Sequence, residues 1–503
     1  MTLMDLQPEL LQHVARHVHP NEVAGSLKLT CKAAAKHLAN FTTVSCKEGQ
    51  PVPAHALVWK WSQPEAVKEL TALQRQVLAK QTIETGQLEA VQRLVTGEGG
   101  LEHAGMLGIT ACTDMLTAAA SAGHLHVVQH LRQRGCDWDD RSSEAAGRQG
   151  SVELCTWLLT EPSAAHTEML EAAAKAGHTD TCEVLLLAGC PWSRQAAGHA
   201  AAGGHVSLMR SLLQMSKAQP QQRHTDVRQL LCGGAEGLDL ETLQGLNKQY
   251  WPQVPAGQAA ALCAHMLSMA AQGHTADYQE KIDWLLSFGA EGDPEAPPDP
   301  WDYNWDSLST CRGPHGSGAS LVNRLRFLHQ RRFKLGNATM IHLMTGQQDE
   351  LEALAFMLDE VGLQARGSAT MVANEACQRG RLGSLQLLQK RGWLQPTDGD
   401  LLNFLVCCSN VGQSAIAAWL LDTFYGNGPG QHPLRGEVLA RVAGLGSVPL
   451  LQQLRERGCP WGEPARTETW VAAVYAGCVA LLEWLDTQSC PRPVSWAHLR
   501  DML

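Results

Sequence analysis

The sequence predicts an all-α solenoid of helix-turn-helix repeats with a small N-terminal helical module. Three observations carry that expectation: glycines recur at near-constant steps, leucines keep one register against them, and the apolar content is aliphatic. Of 503 residues 44% are hydrophobic, with only 5 Tyr and 7 Phe, which suits packed helices. A chain longer than the roughly 250 to 300 residues one core serves must split or grow as a stack, and the period selects the stack.

Gly123, Gly150, Gly177 and Gly204 follow one another at steps of 27 residues, and Gly380, Gly412, Gly446 and Gly477 at steps of 32, 34 and 31. Counting Gly86 as the first of the set, the eighth residue past each glycine is Leu94, Leu131, Leu158, Leu185, Leu212, Leu388, Leu420, Leu454 or Leu485. The fifth is Val91, Val128, Cys155, Cys182, Met209, Leu385, Ala417, Leu451 or Leu482, so an apolar i, i+3 pair marks the buried side of a second helix. Small pairs before the glycine, such as Ala119-Ala120 and Ala200-Ala201, let neighbouring first helices approach closely. Gly135, Gly189, Gly392 and Gly458 stand where a helix end needs a left-handed residue. On the first helices Ser121, Arg148, Lys175 and Gln378 differ from unit to unit on a constant frame, as a selective binding face requires.

The unit Ala-Ala-x-x-Gly-His, second helix, Leu-Leu-x-x-Gly resembles the ankyrin repeat over roughly residues 80 to 490. Its Thr-Pro-Leu-His start is replaced by Gly-Cys-Pro/Asp-Trp at 135–138, 189–192 and 458–461, a style that resembles the large ankyrin families of green algae. The resemblance implies a scaffold that binds protein and is not an enzyme.

Ahead of the repeats, Leu6-Gln-Pro8-Glu-Leu10-Leu11, Val14, Val18 and Leu27-Lys-Leu29-Thr-Cys-Lys32 space their apolar groups as short helices. This stretch resembles the F-box. The resemblance implies that Leu6, Pro8, Leu10, Leu11, Val14, Val18, Leu27 and Leu29 pack against a Skp-type adaptor. The chain would then be the substrate receptor of an SCF-type ubiquitin ligase, with its target on the stack. Capping the first repeat is the other use of the same segment, and leaves a plain scaffold.

The expected organisation is therefore an F-box-like module over 1–45, a connector over 46–80, a repeat block over 81–289, a Pro/Asp/Trp-rich insertion over 290–318 and a second block over 319–503. In the insertion, Trp301 and Trp305 either dock a partner or cover the neighbouring repeats. Stretches 216–225 and 426–433 read as surface loops, and 230–346 keeps the period poorly.

Forty Lys and Arg against 50 Asp and Glu give a net charge of −10, which argues against a nucleic-acid partner. No run of about 18 apolar residues occurs, so no membrane insertion is expected. Sixteen cysteines without a CxxC pair fit reduced thiols in the cytoplasm or nucleus. Phosphate-loop, HExxH and GxSxG signatures are absent, so no catalytic residue, metal or cofactor is expected. His13, His17 and His19 read as exposed helix residues, and the cluster Arg324, Arg326, Arg331, Arg332 and Lys334 as a solvated face. His124, His178, His205 and His274 share one register and read as backbone hydrogen-bonding residues, while Cys136, Cys190 and Cys459 read as buried packing. The enzyme alternative is a lipid hydrolase, because algal chains of this kind are grouped with sphingomyelin phosphodiesterase-related proteins. It would need clustered metal ligands or an activated nucleophile.

Overall fold

The structure is a computed structural model. It describes residues 12–41 and 52–57 in part, 71–92 apart from 90, 109–161, 166–218, 225–291, 318–363 apart from 332, 334 and 347–349, 369–426, 431–461 and 468–490 apart from 489. Among these residues the chain is an all-α helical-repeat solenoid without strands; one isolated bridge joins Tyr425 to His432. Two compact units divide it, 1–142 together with 434–503, and 143–433.

Helix α1 (Lys32–His37) and Leu38 after it contribute to a small cluster of Ala15, Val23, Ala34 and Leu38. Helix α2 (Ala72–Glu84) opens on a capping box: the Gln74 amide donates to Thr71 Oγ1 at 3.1 Å, and the Thr71 amide to Gln74 Oε1 at 2.9 Å. Pairs then follow: α3 (Ile109–Ser121) with α4 (Leu125–Gln133), α5 (Asp140–Gln149) with α6 (Val152–Leu158), and α7 (His166–Ala176) with α8 (Thr179–Leu187). The pairing continues through α9 (Ala196–Ala202) with α10 (Val206–Ala218), α11 (Val227–Gly237) with α12 (Leu240–Tyr250), and α13 (Ala256–Gln272) with α14 (Tyr278–Glu291). Helix α15 (Gly318–Gln330) precedes α16 (Asn337–Thr345) with α17 (Leu351–Asp359), α18 (Ala369–Arg379) with α19 (Leu382–Lys390), and α20 (Asp398–Val411) with α21 (Ser414–Phe424). The series ends with α22 (Gly436–Ala443) paired with α23 (Val448–Glu456), and α24 (Glu468–Ala476) with α25 (Val479–Thr487).

The glycine register makes these pairs. All nine turn glycines have φ between 62° and 82°. At Gly177 the reversal is closed by the His178 amide, which donates to Ala173 O at 3.0 Å in a Schellman end. A Cβ there would meet the His205 ring of the next repeat at 2.3 Å, so both backbone angle and space demand glycine. Downstream, the register leucines from Leu131 to Leu485 are at most 1% exposed, and each such burial stabilises by about 1.5–3 kcal/mol. Leu94 lies outside the described residues. The second helix then stops on its own glycine: the amides of Cys136, Cys190, Trp393 and Cys459 donate to Leu131, Leu185, Leu388 and Leu454 carbonyls at 2.9–3.2 Å.

Some expectations change. Residues 216–218 belong to α10 rather than to a loop, because Leu212, Leu213 and Ser216 extend its buried side by a turn. The irregular middle keeps its pairs by other means. Asp239 caps α12, accepting from the Thr242 amide at 2.8 Å, and Leu243, Leu246 and Tyr250 replace the absent register leucine. Helix α14 continues to Glu291, while 292–317, with Trp301 and Trp305, lies outside the described residues. Among the described residues no helix is long and apolar enough to cross a membrane.

Candidate binding face of the first helices

The sixth and second residues before each turn glycine form an i, i+4 pair on one side of a first helix. In the unit 143–433 these pairs are Glu144 with Arg148 on α5, Glu171 with Lys175 on α7, Gly198 with Ala202 on α9, Asn374 with Gln378 on α18, and Val406 with Asn410 on α20. In the other unit they are Lys80 with Glu84 on α2, Thr117 with Ser121 on α3, Ala440 on α22 with Gly444 just past its end, and Val471 with the 77% exposed Tyr475 on α24. The packing beneath repeats, whereas the chemistry above it runs from ion pair to amide to aromatic.

Polar contacts hold these side chains in place. Arg148 pairs with Glu144, and Lys175 Nζ reaches Glu236 Oε1 on α11 at 3.3 Å. Glu171 accepts from Ser193 and lies 3.5 Å from His199 Nε2, whose pKa is lowered by burial against the pull of Glu171. On α18 and α20, Gln378 Nε2 lies 3.8 Å from Cys407 Sγ, which donates to Asn374 Oδ1 at 3.6 Å. Between α9 and α11 the floor is backbone: a Cβ on Gly233 would stand 2.1 Å from Gly198 O, and one on Gly237 2.2 Å from Ala202 O. On the other side of α11, between it and α13, lies a recess of about 310 Å³, lined by Arg228, Cys232, Glu236, His265 and Met269, in which Arg228 Nη2 donates to His265 Nδ1 at 3.0 Å. A larger cleft of about 750 Å³ opens between the second helices α10 and α12, floored by Met209, Leu213, Leu246 and Tyr250 and rimmed by Lys217 and Glu241.

Residues singled out in the sequence fall as follows. His124 Nε2 lies 3.0 Å from Glu84 O and His178 Nε2 2.9 Å from Arg148 O, each tying a turn to the preceding repeat. His205 packs its ring on Gly177, and His274 lies against Gly204, its pKa lowered by burial. Cys136, Cys190 and Cys459 are buried; Cys190 Sγ donates to His166 O and Cys459 Sγ to Arg435 O, both at 3.3 Å. Burial pushes the Cys190 and Cys459 thiols up to about 11, and those of Cys155, Cys182 and Cys232 to about 12. The basic cluster is not one solvated face. Arg324 is buried, donates to Ala271 O at 3.2 Å and also to Gly273 O, and lies 4.1 Å over the Tyr278 ring. Arg326 pairs with Glu360 at 3.1 Å and Arg331 binds both Asp283 oxygens at 2.7 Å; Arg332 and Lys334 lie outside the described residues. Val18 and Leu27 are half-buried on the small cluster around α1, while Leu6, Pro8, Leu10, Leu11, Val14, His13, His17, His19 and the Leu29 side chain lie outside the described residues.

Sequence reading missed the buried cations. Lys281 on α14 is fully buried and donates to Ala235 O at 2.9 Å and Leu238 O at 2.8 Å, closing the end of α11; burial lowers its pKa to about 8. It substitutes for the turn histidine where the period fails. The one signal in the sequence was a lysine beside Ile282 on the apolar side of a helix.

The sequence matches no family model and no curated protein. Solved structures to which it is similar include the pentatricopeptide repeat protein PPR10 from maize, at 13% identity over 99% of this chain and 81% of that one, with a TM-score of 0.26. They also include PPR10 in complex with an 18-nt psaJ RNA element, at 12% identity over 96% and 74% of the two chains, with a TM-score of 0.27. These findings correct the expected kinship. The ankyrin and F-box resemblances have no family model behind them, and the solved structures named above are pentatricopeptide repeat proteins; the coarser statement, an all-α helical-repeat chain, holds in the structure itself. The ligase receptor reading, its Skp-type adaptor and the lipid-hydrolase alternative fall with the kinship they came from. The exclusion of nucleic acid falls too. A chain's summed charge does not set the field over one of its faces, so a net charge of −10 rules out no partner class.

Proposed function

We propose that this chain is a non-catalytic binding protein that holds an extended ligand along its first helices, through the i, i+4 pairs that reach the surface. The observation that carries the reading is the contrast between constant packing and changing pairs: Glu171 with Lys175, Asn374 with Gln378, and Val471 with Tyr475 stand on equivalent helices above equivalent cores. Such a surface distinguishes ligands by position without altering the frame.

The non-catalytic part is supported by what the reactive groups are committed to. Cys155, Cys182 and Cys232 are held protonated, and the turn residues His124 and His178 bond backbone carbonyls. Twelve described cysteines are free thiols, which fits residence in a reducing compartment such as the cytoplasm or nucleus.

The test is selection by the purified chain from random single-stranded RNA and from displayed peptides, followed by titration of the enriched ligand. Lys175→Glu and Gln378→Ala are expected to weaken binding by about tenfold each, and Leu187→Ala, on an exposed part of α8, to leave it unchanged. Loss of binding through Leu187 with none through the first-helix pairs would sink the reading.

A further inference from the structure

Along the array, the carbonyls that end one first helix receive donors from the repeat that follows. His126 Nε2 meets Gly86 O at 2.8 Å, Thr181 Oγ1 donates to Gly150 O at 2.8 Å, and Arg381 donates to Gly346 O. Lys281 and Arg324 do the same for the ends of α11 and α13. In every case the donor lies later in the chain. The chemistry requires it, because a buried carbonyl without a donor costs about 1–3 kcal/mol.

Gly477, at the end of α24, breaks the direction of this rule while keeping its chemistry. Its carbonyl is buried, and the donor is Arg75 Nη2 at 2.8 Å, 402 residues earlier. Arg75 is itself only 8% exposed and sits in the first turn of α2. Thr71, the residue that caps α2, lies over the turn glycine of the preceding repeat. A Cβ on Gly446 would meet Thr71 Cγ2 at 2.3 Å, Cys478 Cβ at 3.4 Å and Thr71 Cβ at 3.6 Å. Two successive repeats of 434–490 are thus touched by residues 71–75 at the points where a following repeat makes its contacts.

We infer that α2 fills the slot of the repeat that would follow α24 and α25, so that residues 71–84 and 434–490 close into one cooperative stack within a single chain. Arg75 is the latch of this closure and Thr71 its seat. The stack is then continuous in space from α22 through α24 to α2 and α3, although the chain runs through it in two separate passages.

Two measurements on the full-length chain test this. In the variant Arg75→Ala, amide hydrogen exchange across 468–487 is expected to quicken by about tenfold or more, while exchange across 179–187 stays as in the parent. Unchanged exchange in 468–487 overturns the inference. In the double variant Thr71→Cys/Gly446→Cys, made in a Cys478→Ala background so that the native thiol, its Cβ 3.4 Å from that of position 446, cannot compete, the two Cβ positions are 3.6 Å apart, within the reach of a disulfide. Oxidation with glutathione disulfide is expected to yield a monomer in which peptides containing positions 71 and 446 are joined, a product that neither single variant gives. A link formed only between two chains, or none in a double variant whose exchange elsewhere matches the parent, overturns it equally.

Discussion

At the scale of single residues, two kinds of side chain hold each repeat to the next: the register leucine and the donor that reaches back to a helix end. Truncating Leu185, fully buried on α8, is expected to cost roughly 2 to 5 kcal/mol, read as a lower midpoint in thermal or urea unfolding. Replacing Arg381 by Met keeps most of its volume but leaves Met344 O and Gly346 O without their donor, and about 1–3 kcal/mol should be lost in the same measurement. The leucine was legible because it repeats in identity and position. The donor was legible only where it is a histidine after the turn glycine. Arg381 does the same work from the same place, directly after the turn glycine Gly380, with another residue, whereas Lys281 and Arg324 reach from other positions with longer side chains, and a pattern that changes residue and place together leaves no period to read.

At the scale of helices, the close approach of α9 and α11 depends on missing side chains. Gly233→Val is expected to force these helices apart and lower stability by at least the 1–3 kcal/mol typical of overpacking, with Gly245→Val, which faces open space on α12, as the matched control. Equal losses in the two variants by circular dichroism melting would show that helix propensity, not approach, sets the cost. The small pairs ahead of the turn glycines made close packing readable in the sequence. Which pairs bear a ligand was half readable: Ser121, Arg148, Lys175 and Gln378 were visible as variable positions. The partners His199 and Cys407 come from the next repeat and Glu236 from the one after it, and all three needed the stacking to be seen.

At the scale of the molecule, burial of many thiols gives stability a direction in pH. Cys155, Cys182 and Cys232 ionise near 9 when unfolded and only near 12 when folded, so above pH 9 the folded chain holds more protons than the unfolded one and stability falls as pH rises. Lys281, lowered from 10.5 to about 8, acts oppositely between those values, but one amine is set against several thiols. Urea unfolding should therefore show a less stable chain at pH 10.5 than at pH 8. The drop should shrink by about 2 kcal/mol in Cys182→Ala, since each pH unit between the two ionisations is worth about 1.4 kcal/mol. A drop of the same size in that variant would assign the alkaline weakness to other groups.

The contact between Arg75 and Gly477 also has a timetable. A ribosome adds about 5–20 residues each second, so the 402 residues between donor and acceptor take about 20–80 s to make. For most of that time α2 is outside the ribosome with Arg75, buried in the finished protein, lacking the carbonyl it is built to meet. During synthesis the Arg75 end of this helix therefore stays open until α24 emerges and completes its surroundings.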